Sequence, residues 1–138
     1  PNIAAVKEAS GNMSQVVDII AKCGDKLAVY SGEDALTVPM MSMGALGCIS
    51  VLSNVVPRMA TEMCDHAFAG DYKRAAQLQC KMLPLVDALF SEVNPIPAKA
   101  AMAAMGFGTE YVRMPLTLME EPNRAKLFDA MRQLGVLK

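Results

Sequence analysis

Lys7 is the residue whose type and position most directly offer chemistry. It follows Ile3-Ala-Ala-Val6, an unbroken apolar run of the kind that forms a parallel strand buried on both faces. Ser10-Gly11-Asn12 breaks the pattern directly afterwards, and a helical period begins, so Lys7 stands where a βα unit turns from strand to helix. Ligands bind at that carboxyl end of the strands in open α/β sheets and in β/α barrels. A lysine at the mouth of an apolar core is partly desolvated, which disfavours its charged form, and the neutral amine is the form that attacks a carbonyl carbon to give a Schiff base. The plain alternative is a strand-end lysine whose stem lies on apolar surface while its head reaches water. Glu8 carries the same ambiguity, between a hydrogen-bonded support for the turn and a catalytic carboxylate.

The elements that would position Lys7 repeat one pattern. Met13, Val16, Val17 and Ile20 follow helical spacing, with Asn12 as N-cap and Gly24 as the stop. Leu27–Ser31 reads as a second strand ending in Gly32-Glu33-Asp34, where Gly32 allows either a close backbone approach or a positive φ. Asp34 is expected to cap a short helix from Ala35 to Met43. Cys48–Leu52 reads as a third strand, and Asn54 as the cap of a helix that tolerates Pro57 early and stops at Gly70. Strand and helix alternating at roughly two-dozen-residue spacing imply βαβ units and a parallel sheet. No G-x-G-x-x-G or P-loop pattern occurs, so nothing points to a nucleotide fold.

Beyond Asp71 the strands stop. Asp71 caps a helix to about Phe90 that contains Pro84, and Asn94-Pro-Ile-Pro97 opens another that ends at Gly106. Phe107 to Met119 has no helical period, and a last helix runs from about Pro122 to Leu134-Gly135. The expected division is a partial β/α barrel over residues 1–70 and a helical domain over 71–138.

Composition bounds the function. The 138 residues are 53% hydrophobic and 20% charged with a net charge of −1, which describes a globular chain without a basic footprint for nucleic acid or an anionic membrane surface. No apolar run approaches the roughly 20 residues of a membrane span. Cys23, Cys48, Cys64 and Cys80 show no C-x-x-C spacing, and His66 is the single histidine, so a metal site has little to work with. Reduced, buried thiols of a cytoplasmic protein are the expected state. Twelve methionines and several apolar helices exceed what three short strands can cover, and a (β/α)8 barrel needs about 250 residues. A fragment, a processed product or one partner of a split barrel is therefore expected.

Several blocks carry a resemblance. Val6-Lys7-Glu8-Ala9-Ser10-Gly11, Ser31-Gly32-Glu33-Asp34, Gly47-Cys-Ile49-Ser50-Val51, Asn94-Pro-Ile-Pro97-Ala-Lys99 and Arg113-Met-Pro115-Leu-Thr117 resemble, in order and spacing, the later half of the dihydrodipicolinate synthase family. The resemblance implies the last three parallel strands of a TIM barrel followed by a three-helix C-terminal domain. It also implies a lyase of lysine and diaminopimelate biosynthesis: pyruvate forms an imine with lysine, and the derived enamine attacks L-aspartate 4-semialdehyde. On the matching positions, Lys7 is the imine-forming residue, Ile49 offers backbone beside bound pyruvate, and Gly32 lines the same pocket. No cofactor or metal is implied. The family's catalytic tyrosine, its threonine relay and its arginine for the second substrate match nothing here, and Tyr30, Tyr72 and Tyr111 are not substitutes by position. The chain alone is therefore expected to have little activity, and to self-associate or join an N-terminal half-barrel. A sibling pyruvate-dependent aldolase of the N-acetylneuraminate lyase type and a non-catalytic half-barrel module are the competing expectations.

Overall fold

The computed structural model describes residues 2–138. In chain order, strand β1 (Ala5–Glu8) leads to helix α1 (Met13–Cys23), and strand β2 (Ala28–Ser31) to helix α2 (Thr37–Ser42). Helices α3 (Pro57–Phe68), α4 (Tyr72–Leu89), α5 (Ile96–Ala104) and α6 (Glu121–Gln133) follow. These residues form two compact units: the chain up to Ser50 with Met59–Cys80, and Val51–Arg58 with Lys81–Lys138.

The first unit is built on a parallel pair. Ala5 to Glu8 of β1 lie in register with Ala28 to Ser31 of β2. The expected third strand shortens to a single parallel bridge between Ser31 and Cys48. Residues 46–49 still run along β2, with the amides of Leu46 and Ile49 donating to Val29 and Ser31 and the Ser31 amide donating to Gly47. The strand stops there because the backbone turns: Asn54 donates to Val51, while Val55 and Val56 donate to Leu52, which makes Leu52–Asn54 a 3₁₀ turn. The apolar pattern of this segment suited a strand, but from Leu52 onward the backbone bonds close within a turn.

Burial of β1 also departs from expectation. Ile3 is 75% exposed, Ala4 and Ala5 are exposed, and Val6 is half-buried. A run suited to an interior strand lies here at a sheet edge, for β2 is the only strand paired with β1 among the described residues. The core behind it is Val16, Val29, Met40 and Ala45, with Val6, Met13, Ile19, Ile20 and Leu36 packed around them.

Local signals set the helix ends. The Asn12 side chain accepts from the amides of Ser14 and Gln15, and Gly24 ends α1 at φ 51°. Asp71 caps α4 by accepting from the Arg74 amide at 3.0 Å. The turn before α2 corrects an expectation: Glu33 caps it by accepting from the Ala35 amide at 3.4 Å, Asp34 is buried as its first residue, and Leu36 precedes α2 without a side-chain cap. Asn54 likewise is no helix cap, since its side-chain amide donates to the Val51 carbonyl at 3.0 Å.

In the second unit, α5 packs on α6 and on the Leu52–Asn54 turn. Leu85, Leu89, Ala101, Leu127 and Met131 are fully buried there. Glu92, in the loop after α4, ties that loop to the start of α6 by accepting from the Glu120 amide and the Asn123 side chain, both at 3.0 Å. Arg124 pairs with Glu110 and lies 5.1 Å from the Phe128 ring centroid, an arrangement suited to cation–π attraction. Among the described residues, no helix is long and apolar enough to cross a membrane.

Candidate active site

The carboxyl ends of the strands meet in three adjacent turns. The Gly32 amide donates to the Glu8 carbonyl at 2.6 Å, and the Ile49 amide donates to the Ser31 carbonyl at 2.7 Å. Lys7 stands beside Tyr30 in the register, one residue before that junction. Lys7, Gly32 and Ile49 therefore share one end of the parallel arrangement, as a βα architecture requires of residues acting together.

Gly32 and Lys7 meet directly. A Cβ built on Gly32 would fall 2.7 Å from Lys7 Cε, 2.9 Å from Lys7 Cγ and 2.7 Å from Ala9 Cβ. The aliphatic stem of Lys7 thus lies across the bare backbone of residue 32, which only glycine leaves open. Close approach is the reason for glycine here, because its φ is not among the positive ones. Ser31 fixes the turn: fully buried, it donates from its hydroxyl to the Glu33 carbonyl at 2.7 Å and accepts from the Glu33 amide at 3.2 Å. The sequence marked Ser31 as a strand end and as part of a family block, but not its role in the turn, because serine is common at turns and its burial depends on the whole sheet.

Glu8 takes the supporting role. Its side chain is on the opposite face of β1 from Lys7, as strand alternation dictates, and the residue is 4% exposed. One carboxylate oxygen accepts from the Ser10 amide at 3.0 Å and from the Gln15 side chain at 3.1 Å, which ties the strand end to α1. The other oxygen, Oε2, is buried without a hydrogen-bond partner among the described residues. The Glu8 carboxylate thus holds the turn that follows Lys7.

Exposure departs from expectation. Lys7 is exposed, so the partial desolvation foreseen for it is not supplied by the residues described here. Its amine has no ion-pair partner among them. Ile49 is also half-exposed, at 50%.

The thiols behind the third turn differ from expectation as well: Cys23, Cys48 and Cys64 are half-buried and Cys80 is exposed, rather than all buried. Cys48 and Cys64 approach to 4.0 Å between sulfurs. A hydrogen bond from the Cys64 thiol brings Cys48 down to about 7; one from Thr37 acts in the same direction, while burial and the Asp34 carboxylate oppose it. Cys64 is pushed up by its hydrogen bond to Cys48 and by burial. No cluster of three or more metal-ligating side chains occurs among the described residues.

Comparison with known proteins agrees with this geometry. The chain is 46% identical over 136 residues to the 4-hydroxy-tetrahydrodipicolinate synthase of Lachnoclostridium phytofermentans, covering 99% of this chain and 46% of that enzyme. Among solved structures, the dihydrodipicolinate synthase of Aquifex aeolicus superposes with a TM-score of 0.95 at 39% identity, over 98% of this chain and 46% of that one. The chloride-inhibited enzyme of Acinetobacter baumannii, complexed with pyruvate, superposes with a TM-score of 0.93 at 38% identity, over 99% and 47%. The chain spans about half the length of these relatives and corresponds to a C-terminal half. Helices and a parallel sheet that superpose on TIM-barrel enzymes, a lysine laid over a glycine at the carboxyl edge, and a match of residues 1–134 to the family model all agree: this chain belongs to the dihydrodipicolinate synthetase family.

Proposed function

We propose that Lys7 is the imine-forming lysine of a lyase that condenses pyruvate with L-aspartate 4-semialdehyde to give 4-hydroxy-tetrahydrodipicolinate. The observation that carries this reading is the stem of Lys7 lying across Gly32 at the carboxyl end of the parallel strands. The neutral Lys7 amine attacks the ketone carbon of pyruvate, and loss of water leaves the imine. Loss of a methyl proton then gives the enamine that adds to the aldehyde. Gly32 leaves room for the stem, Glu8 and Ser31 hold the two turns, and the backbone of Ile49 lies along the same edge, where it flanks bound pyruvate.

Residues 1–70 act in this reading as the partial barrel and 71–138 as the helical domain. Such an enzyme works in the cytoplasm in lysine and diaminopimelate biosynthesis. The 138 residues alone turn over near background in this reading, because the tyrosine and the threonine relay that the family resemblance implies are matched by no residue of this sequence. General acid–base help is typically worth about 10²–10⁴-fold. The exposed edge at Ile3 and the half-exposed Ile49 favour association with a second copy or with an N-terminal half-barrel.

Borohydride reduction in the presence of pyruvate tests the proposal. The expected result is a slow gain of one reduced pyruvyl group in the intact mass, absent without pyruvate and absent in Lys7→Arg, whose guanidinium cannot form an imine. No gain in mass at saturating pyruvate contradicts it.

A further inference from the structure

Away from the lysine edge, two cysteine sulfurs of the first unit approach one another. Cys48 is carried by the segment that runs along β2, and Cys64 by α3, both in the first unit. Their sulfurs are 4.0 Å apart, and both side chains are half-buried, so a small oxidant reaches them. A disulfide needs about 2.05 Å between sulfurs, so closure asks for about 2 Å of approach.

We propose that Cys48 and Cys64 form a redox-active dithiol, closed to an intramolecular disulfide by a peroxide-class oxidant. Cys48 releases its proton to solvent and the thiolate attacks one peroxide oxygen; the O–O bond breaks, the departing hydroxide takes a proton from solvent and leaves as water, and Cys48 becomes a sulfenic acid. The Cys64 sulfur then attacks the Cys48 sulfur, the S–O bond breaks, and the hydroxide takes the Cys64 proton as a second water. Two thiols lose two electrons and the peroxide gains them.

The order of attack follows from the surroundings. Cys48 faces the Cys64 thiol on α3, the Thr37 hydroxyl on α2 and the Asp34 carboxylate in the turn before α2. Cys64 faces Cys48 and has Asp65 beside it on its own helix. With Cys48 brought to about 7, it is the sulfur ionised near neutrality, and thiols that ionise near ambient pH are the most effective attackers. The bond would fasten the segment after β2 to α3, and it does not depend on whether Lys7 forms an imine.

The test treats the reduced chain with one equivalent of hydrogen peroxide, blocks remaining thiols and maps tryptic peptides. Cleavage after Lys22, Lys26, Arg58, Arg74 and Lys81 puts the four cysteines on separate peptides. The expected product has lost two hydrogens and joins the Cys48 peptide to the Cys64 peptide, with Cys23 and Cys80 still free. In Cys64→Ser, Cys48 should instead accumulate as a sulfenic acid trapped by a cyclic 1,3-dione. Alkylation of Cys48 by iodoacetamide should rise as pH climbs through about 7. Wild-type protein in which Cys48 and Cys64 both remain alkylatable after the peroxide is consumed, or in which either sulfur bonds to Cys23 or Cys80, overturns the proposal.

Discussion

The two compact units differ in what they bury. The buried polar side chains Glu8, Ser31, Asp34 and Thr37 all belong to the first unit, whereas Leu85, Leu89, Ala101, Leu127 and Met131 fill the second with apolar atoms. Burying a polar group is unfavourable unless it is hydrogen-bonded, so such groups need a reason to be there. In the first unit that reason is placement: Glu8 and Ser31 are bonded to the backbone of the turns that flank Lys7 and Gly32. The buried side chains of the second unit are apolar, and such packing stabilises without directing any side chain to a particular point. Chemistry and stability should therefore respond to different substitutions.

The largest stability effect is expected in the second unit. Leu127→Ala removes a fully buried side chain and should cost about 2–5 kcal/mol in denaturant unfolding, while the pyruvate adduct still forms wherever the protein remains folded. Next comes Gly32→Ala, whose new methyl meets Lys7 and Ala9 below 3 Å. Overpacking of this kind costs about 1–3 kcal/mol, and here it also displaces the lysine stem, so the adduct rate should fall more than stability predicts. Adduct formation unchanged in that variant would break the contrast between the units.

Glu8→Ala leaves the Ser10 amide and the Gln15 side chain without their acceptor, at about 1–3 kcal/mol. Glu8→Gln retains an acceptor oxygen and should restore most of the adduct rate; equal loss in both would mean that the charge, and not the position, matters. The smallest effect is Asn12→Ala, which removes the cap of α1 for about 1 kcal/mol and should leave Lys7 reactivity alone.

The sequence was most legible where the signal is local. Asn12, Asp71, Gly24 and Gly106 mark helix ends because capping and positive φ depend on a few neighbouring residues. Cys48–Leu52 misled because alternation and apolar content fit a strand, while the backbone bonds that decide the matter form within a turn at Leu52. Glu33 displaced Asp34 as a cap for a similar reason: two adjacent acids offer the same oxygen, and only the fold selects between them. Lys7 was legible as a position at a strand end, whereas Ile49 was singled out only by the family resemblance. The clasp of Lys7 over Gly32 was not, since its partners lie on different strands and glycine is compatible with either a turn or a close approach. The pairing of Cys48 with Cys64 was hidden likewise, because it joins a strand end to a distant helix.

The reading of the first unit as the chemical one rests on where the imine forms. Peptide mapping after pyruvate and borohydride decides this directly, with Lys99 of the second unit as an internal control. The account predicts one reduced adduct, on Lys7. Label on Lys99 or spread over several surface lysines, with Lys7 unmodified, would contradict it.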